Sequence, residues 1–270
     1  AFTELINTID EHLQKSQYEI KEFLYIISKI SDHHNRKYNF INKIEQILRH
    51  YSKEIKQNLT NSSIFNIFKK NKRILLFLLE EQLITLDKYV MSVISKPKYL
   101  EMNYYEYFLP EILTYHKKKL ETDETAKQLF YQKRKEGEND NPICTIIRND
   151  SISDFISYVN KSNYSLSSII EQSIFETNKF LLKSKKYYLI EYAAFFGSIQ
   201  IIKYLFVNKI EFPNFIWFYA IHGKNPELIH LLEDNNIKMD DYSYEDCFLE
   251  SIKCFHYELD NYFDNKYSIS

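Results

Sequence analysis

Glycine is nearly missing from this chain: it occurs three times in 270 residues, beside five prolines. β-Sandwiches and barrels spend both residues on turns, so the shortage favours helices. It also removes the backbone nests that cradle phosphates, and neither GxGxxG nor GxxxxGK[ST] occurs. Cysteine is scarce too. Cys144, Cys247 and Cys254 form an odd, low count that fits a reducing compartment and an intracellular, cytoplasmic location. Apolar runs such as Ile74 to Leu79 fall far short of the roughly 20 residues a membrane span needs. Residues Ala1 to Lys15 lack the basic start and apolar core of a signal peptide. No methionine opens the chain and it stops in a helix-like stretch, as a fragment of a longer array would. Neither charge dominates: the net charge is -2 and the pI about 6.5, so neither nucleic acid nor an anionic membrane is the expected partner.

What is present is a globular balance, 44% hydrophobic and 27% charged, that can bury a core. The first half reads as amphipathic helices. Ile20, Phe23, Leu24, Ile27 and Ile30 share one face at a period of 3.6, and so do Phe40, Ile44, Ile47, Leu48, Tyr51 and Ile55. The polar run Ser31 to Lys37 joins those two helices. Asn61-Ser62-Ser63 breaks the second and can cap the next. Ile74 to Val93 predicts one central helix ended by Lys96-Pro97, and Glu111 to Lys135 a charged helix. Between these two, Tyr99 to Pro110 reads as aromatic and irregular. The division expected is a helical domain over 1–135, a linker over 136–141 around Gly137, and repeats over 142–270.

The second half repeats itself. Ile190-Glu191-Tyr192-Ala193-Ala194-Phe195-Phe196-Gly197 leads into Ile199 to Leu205, and Ile216 to Gly223 leads into Glu227 to Leu232. Weaker copies start at Asn141-Pro142-Ile143, with Asp150 in place of the glycine, and at Ser251, with Cys254 there. This pattern resembles the ankyrin core, in which LHLAAxxG leads into HLEVVKLL. With its helical first half, the chain resembles a protozoan ankyrin-repeat family of unknown function. The resemblance covers roughly Asn141 to Phe263 and implies an all-α fold: a helical N-terminal domain followed by a short ankyrin-type helical stack. Small residues such as Ala193, Ala194, Ala220 and Ser251 would let paired helices approach, and Gly197 and Gly223 would take positive φ at the helix exits. The spacings of 47, 26 and 31 residues depart from the ~33 of a regular repeat, so an insertion is expected within Asn160 to Lys186.

In ankyrin proteins the two residues before the turn glycine line the partner-binding face. The resemblance puts Arg148, Asn149, Phe195, Phe196, Ile221, His222, Ile252 and Lys253 in those places, with Trp217 buried in a first helix. It implies a non-enzymatic module that binds a protein; the alternative is an adaptor or regulatory subunit docking through the N-terminal domain. No catalytic constellation stands out, and neither a cofactor nor a metal is expected. Asp32-His33-His34 reads as a solvent-facing loop. Cys247, Cys254 and His256 could be soft ligands, but without a CxxC pair the cysteines read as core. The basic runs Lys69 to Arg73 and Lys117 to Lys119 read as solvated helix ends.

Overall fold

The computed structural model describes residues 2–33, 40–96, 103–119, 123–184, 186–213, 215–237 and 244–267. The described residues are predominantly helical and fall into two compact units.

Unit 1 comprises Ala1–Asp32, Arg36–Glu138 and Ile174–Lys183. Its helices begin with α1 (Phe2–His12), α2 (Gln17–His33), α3 (Phe40–His50), α4 (Ser52–Asn58) and α5 (Asn61–Phe68). They continue with α6 (Lys72–Glu80), α7 (Lys88–Ile94), α8 (Tyr104–Tyr107), α9 (Leu109–Tyr115) and α10 (Glu124–Glu136). The apolar stripe of α2 is buried through Ile20, Leu24 and Ile27. The stripe expected on one helix from Phe40 to Ile55 is split between α3 and α4 at Tyr51, whose φ of -90° and ψ of 15° leave the helical range. The cap of α5 is Thr60, whose hydroxyl accepts from the Ser63 amide at 3.2 Å; Asn61 to Ser63 lie inside that helix.

Two other expected long helices are also broken. Ile74 to Val93 is divided between α6 and α7, because Gln82 turns to φ 55° and Asp87 caps a fresh start at the Val90 amide, 2.8 Å away. Glu111 to Lys135 is divided where Lys117 takes φ 56°. Every residue from Lys72 to Leu78 is buried, so of the basic run Lys69 to Arg73 only Lys70 is exposed, and Lys72 and Arg73 are not a solvated helix end. The Lys72 ammonium donates to the Ile174 carbonyl at 2.8 Å and lies over the Tyr107 ring, while Arg73 pairs with Glu45 at 2.6 Å. Arg134, 1% exposed, forks onto both carboxylate oxygens of Glu111 at 2.8 and 3.0 Å.

Unit 2 is chiefly Asn139–Ser173 and Ser184–Ser270. It opens with α11 (Pro142–Arg148) and α12 (Ile152–Ser162), then β1 (Ile169–Glu171). The chain next gives α13 (Lys179–Lys183) to unit 1 and returns as β2 (Lys186–Tyr188), antiparallel to β1 with Ile170 opposite Tyr187. The segment from β1 to β2 overlaps the interval Asn160 to Lys186. Three more helix pairs follow: α14 (Leu189–Phe196) with α15 (Ile199–Val207), α16 (Ile216–Gly223) with α17 (Pro226–Asp234), and α18 (Tyr244–Lys253) with α19 (Tyr257–Tyr267). The first helices α11, α14, α16 and α18 contact one another in chain order. Ala193, Ala194, Ala220 and Ser251 are fully buried along that row, which their small side chains allow. Trp217 is buried in α16, its indole N–H donating to the Ile237 carbonyl at 2.9 Å.

Candidate functional site

Each first helix of unit 2 leaves through a left-handed residue. These are Asp150 (φ 48°), Gly197 (φ 67°), Lys224 (φ 50°) and Phe255 (φ 53°). The expectation of positive φ holds at Gly197 and fails at Gly223; there, and at Cys254, the left-handed residue is the next one along. Gly223 is needed for a different reason. A Cβ there would sit 2.2 Å from the Ala194 carbonyl oxygen, and one at Gly197 would sit 2.6 Å from the Gly223 oxygen. The two glycines let α14 and α16 approach backbone to backbone. The exits are also tied to one another. Ser198 donates to the Ile147 carbonyl at 2.6 Å. The Asp150 carboxylate accepts from the Gln200 and Ile201 amides, both at 3.1 Å, capping α15 from the preceding pair. The Asn225 side chain donates to the Gly197 carbonyl at 2.8 Å.

Against this frame the expected partner-binding residues divide into two groups. Phe195, Ile221 and His222 are buried, at 1%, 0% and 2% exposure, so they do not present a surface. The Phe195 ring stacks on His222 with centroids 5.3 Å apart. Arg148 is half-buried, and its guanidinium is occupied by the Asn139 carbonyl and the Tyr192 hydroxyl, both at 2.8 Å. Phe196 is half-buried against Tyr192 and Phe195. Asn149, Ile252 and Lys253 are exposed. Leu249, which the repeat register did not single out, is 51% exposed one turn before Ile252 at 44%. The signal for it was the spacing of three residues, which sets the pair on the face of α18 opposite the buried Cys247, Glu250 and Ser251.

Beneath that face lies a closed polar cluster that the sequence did not reveal. Glu250 on α18 accepts from His222 Nε2 at 3.0 Å and from the Lys253 ammonium at 3.1 Å. Cys254 Sγ lies 3.4 Å from His222 Nδ1. Burial alone would raise the Glu250 carboxyl; the His222 imidazole and then Lys253 outweigh it and hold the carboxyl down at about 2. His222, Glu250 and Cys254 offer ligand atoms close enough to share a cation. Both oxygens of Glu250 already have hydrogen-bond donors, however, and the geometry is complete as an ion-pair clamp between α16 and α18. Cys247 adds no thiolate, because burial pushes its thiol up to about 12. His256, grouped with these cysteines in the sequence, is half-buried, and its backbone amide is bonded to Ser251. His34 and the side chain of His33 lie outside the described residues.

Among the described residues no helix is long and apolar enough to cross a membrane. No family model, curated protein or solved structure matches the chain.

Proposed function

We propose that unit 2 is a degenerate ankyrin-type stack that holds a protein partner and performs no chemistry of its own. The observation that carries this reading is the set of left-handed exits at Asp150, Gly197, Lys224 and Phe255, bonded from one helix pair to the next. Such linkage makes neighbouring pairs register with each other, which is how a repeat stack builds an extended surface from short helices. The buried cluster at His222 fits the same reading: it is shut away from solvent and joins two consecutive pairs. The face proposed for the partner runs over Asn149, Phe196, Leu249, Ile252 and Lys253. Its exposed Leu249 and Ile252 supply an apolar anchor beside the Lys253 charge, the mixture that binding hot spots use.

The test is a pair of charge insertions, Leu249→Glu and Ile252→Glu, in the full chain. Both side chains are about half exposed, so thermal melting should move little. Partners crosslinked to the wild-type chain and identified by mass spectrometry should be lost from the double variant. Partners retained at wild-type levels by a well-folded variant would remove this face from the reading.

A further inference from the structure

The outward side of α2 is more apolar than a soluble helix needs. Its inner stripe, Ile20, Leu24 and Ile27, is already buried, so its other faces would ordinarily be polar. They expose Tyr18 at 72%, Tyr25 at 50% and Ile26 at 55%. Tyr18, Lys21, Tyr25 and Lys29 follow one another at steps of three and four, so ring and ammonium alternate along one face.

That face borders a cleft of about 470 Å³ in which Tyr25 and Ile67 lie among four lysines and one carboxylate, Asp32. Asp32 pairs with Lys179 at 3.0 Å, which leaves the charges of Lys21, Lys29 and Lys70. Among the described residues, no carboxylate pairs with these three; Lys29 only rests over the Tyr25 ring at 5.1 Å. Lysines alone are an ordinary solvated surface, and exposed rings alone do not say what covers them. Together they specify a ligand: carboxylates on either side of an apolar side chain.

We propose that this face of unit 1 docks a short acidic segment of another protein, apart from the face proposed on unit 2. Carboxylates of the segment pair with Lys21, Lys29 and Lys70, and an apolar side chain between them lies against Tyr25 and Ile67. Exposed ion pairs add little by themselves, so the apolar contact supplies affinity and the charges select the partner. The charge of the whole chain decides how long the anion is. With a net charge of -2, a long polyanion gains nothing beyond the cleft, whereas a short segment meets only the local positive charge. That favours a peptide over a nucleic acid or an anionic bilayer.

Phage display of random peptides on the full chain tests the proposal. One selected family should carry aspartates or glutamates on both sides of a large apolar residue. Synthetic copies should bind the wild type in fluorescence anisotropy and weaken as salt rises. Lys21→Glu with Lys70→Glu, both exposed, should weaken them roughly tenfold or more while melting stays unchanged. Tyr25→Ala should weaken the same peptides with every lysine in place, a loss that charge alone does not predict. Leu249→Glu with Ile252→Glu should leave this binding intact, which separates it from the unit 2 face. The absence of such a family, or peptides that bind the lysine variant or Tyr25→Ala as well as the wild type, overturns the proposal. So does tighter binding of polyuridylate or of phosphatidylserine vesicles that is lost in the lysine variant, which would assign the face to a nucleic acid or a membrane.

Discussion

Gly223 and Lys224 stand side by side and need opposite treatment. Gly223 is helical, where Gly→Ala ordinarily gains about 1 kcal/mol. Its Cβ would meet the Ala194 carbonyl oxygen at 2.2 Å, so an overpacking cost of roughly 1–3 kcal/mol or more opposes that gain and wins. Lys224 holds φ 50° at the exit of α16, a conformation that strains any side chain. Lys224→Gly should relieve it and raise stability by up to about 1 kcal/mol, after allowing for the extra freedom glycine has when unfolded. Urea unfolding of the two single variants checks both signs: Gly223→Ala should move the midpoint down and Lys224→Gly up. A midpoint raised by Gly223→Ala would mean the close approach of α14 and α16 is not as tight as it stands. The same pair of residues shifts the register of the third exit by one. Counting back from Gly223 picks Ile221 and His222; counting back from the left-handed Lys224 picks His222 and Gly223. His222 then aligns with Phe195 and Lys253, two places before their own turns, and Phe195 and Glu250-bound Lys253 are its neighbours in the clamp. Glycine as the marker of the turn gave a register one residue short.

The element scale shows how far that marker misleads. Helix existence was legible wherever the apolar stripe was regular, as on α2 and α3, and so was the repeat of helix pairs. The breaks after α6 and α9 were not, because the chain turns there at Gln82 and Lys117 rather than at glycine. Among the described residues, nine non-glycine residues hold positive φ and only two glycines do. A chain so short of glycine places lysine, asparagine and even phenylalanine where sequence rules look for glycine. The buried clamp was illegible for another reason: His222 and Glu250 are 28 residues apart and meet only because α16 packs on α18. Its pH dependence follows from the Glu250 carboxyl, which lies at about 2 in the fold against 4.5 in an exposed chain. A lowered carboxyl stabilises the fold fully above pH 4.5, and that stabilisation is lost as the pH falls toward 2. The difference amounts to something on the order of 3 kcal/mol. Urea unfolding between pH 6 and pH 2 should therefore fall more steeply for the wild type than for Glu250→Gln. The variant should be weaker at pH 6 and close to the wild type near pH 2. Parallel curves would show that Glu250 is not held ionised by His222 and Lys253.

At the scale of the whole chain, the order of residues and the membership of the two units do not coincide. A boundary at 136–141 is visible in the sequence as a polar run with Gly137, which does end α10 at φ 69°. Nothing in the sequence marks residues 174–183, lying between the first two helix pairs of unit 2, as folding with unit 1. The spacing could show that something lies between the helix pairs but not what it packs on, because its apolar residues lie far along the chain from their neighbours. Leu182 is 5% exposed and belongs to the core that includes Leu24, Tyr51, Phe68 and Leu78. Phe175 meets Phe130 edge to face with centroids 5.4 Å apart, and Thr177 donates from both its amide and its hydroxyl to the Gly137 carbonyl. Residues 1–138 made alone would lack all of these contacts. The consequence can be tested in the intact chain with Leu182→Ala, for which a buried leucine predicts a cost of about 2–5 kcal/mol. That loss should appear in unit 1: amide exchange should speed up in α2 and α6 while α14 and α16 keep their protection. Exchange that rises instead around Ala193 and Ala220 would place Leu182 with unit 2, and the division of the chain would then follow its sequence order after all.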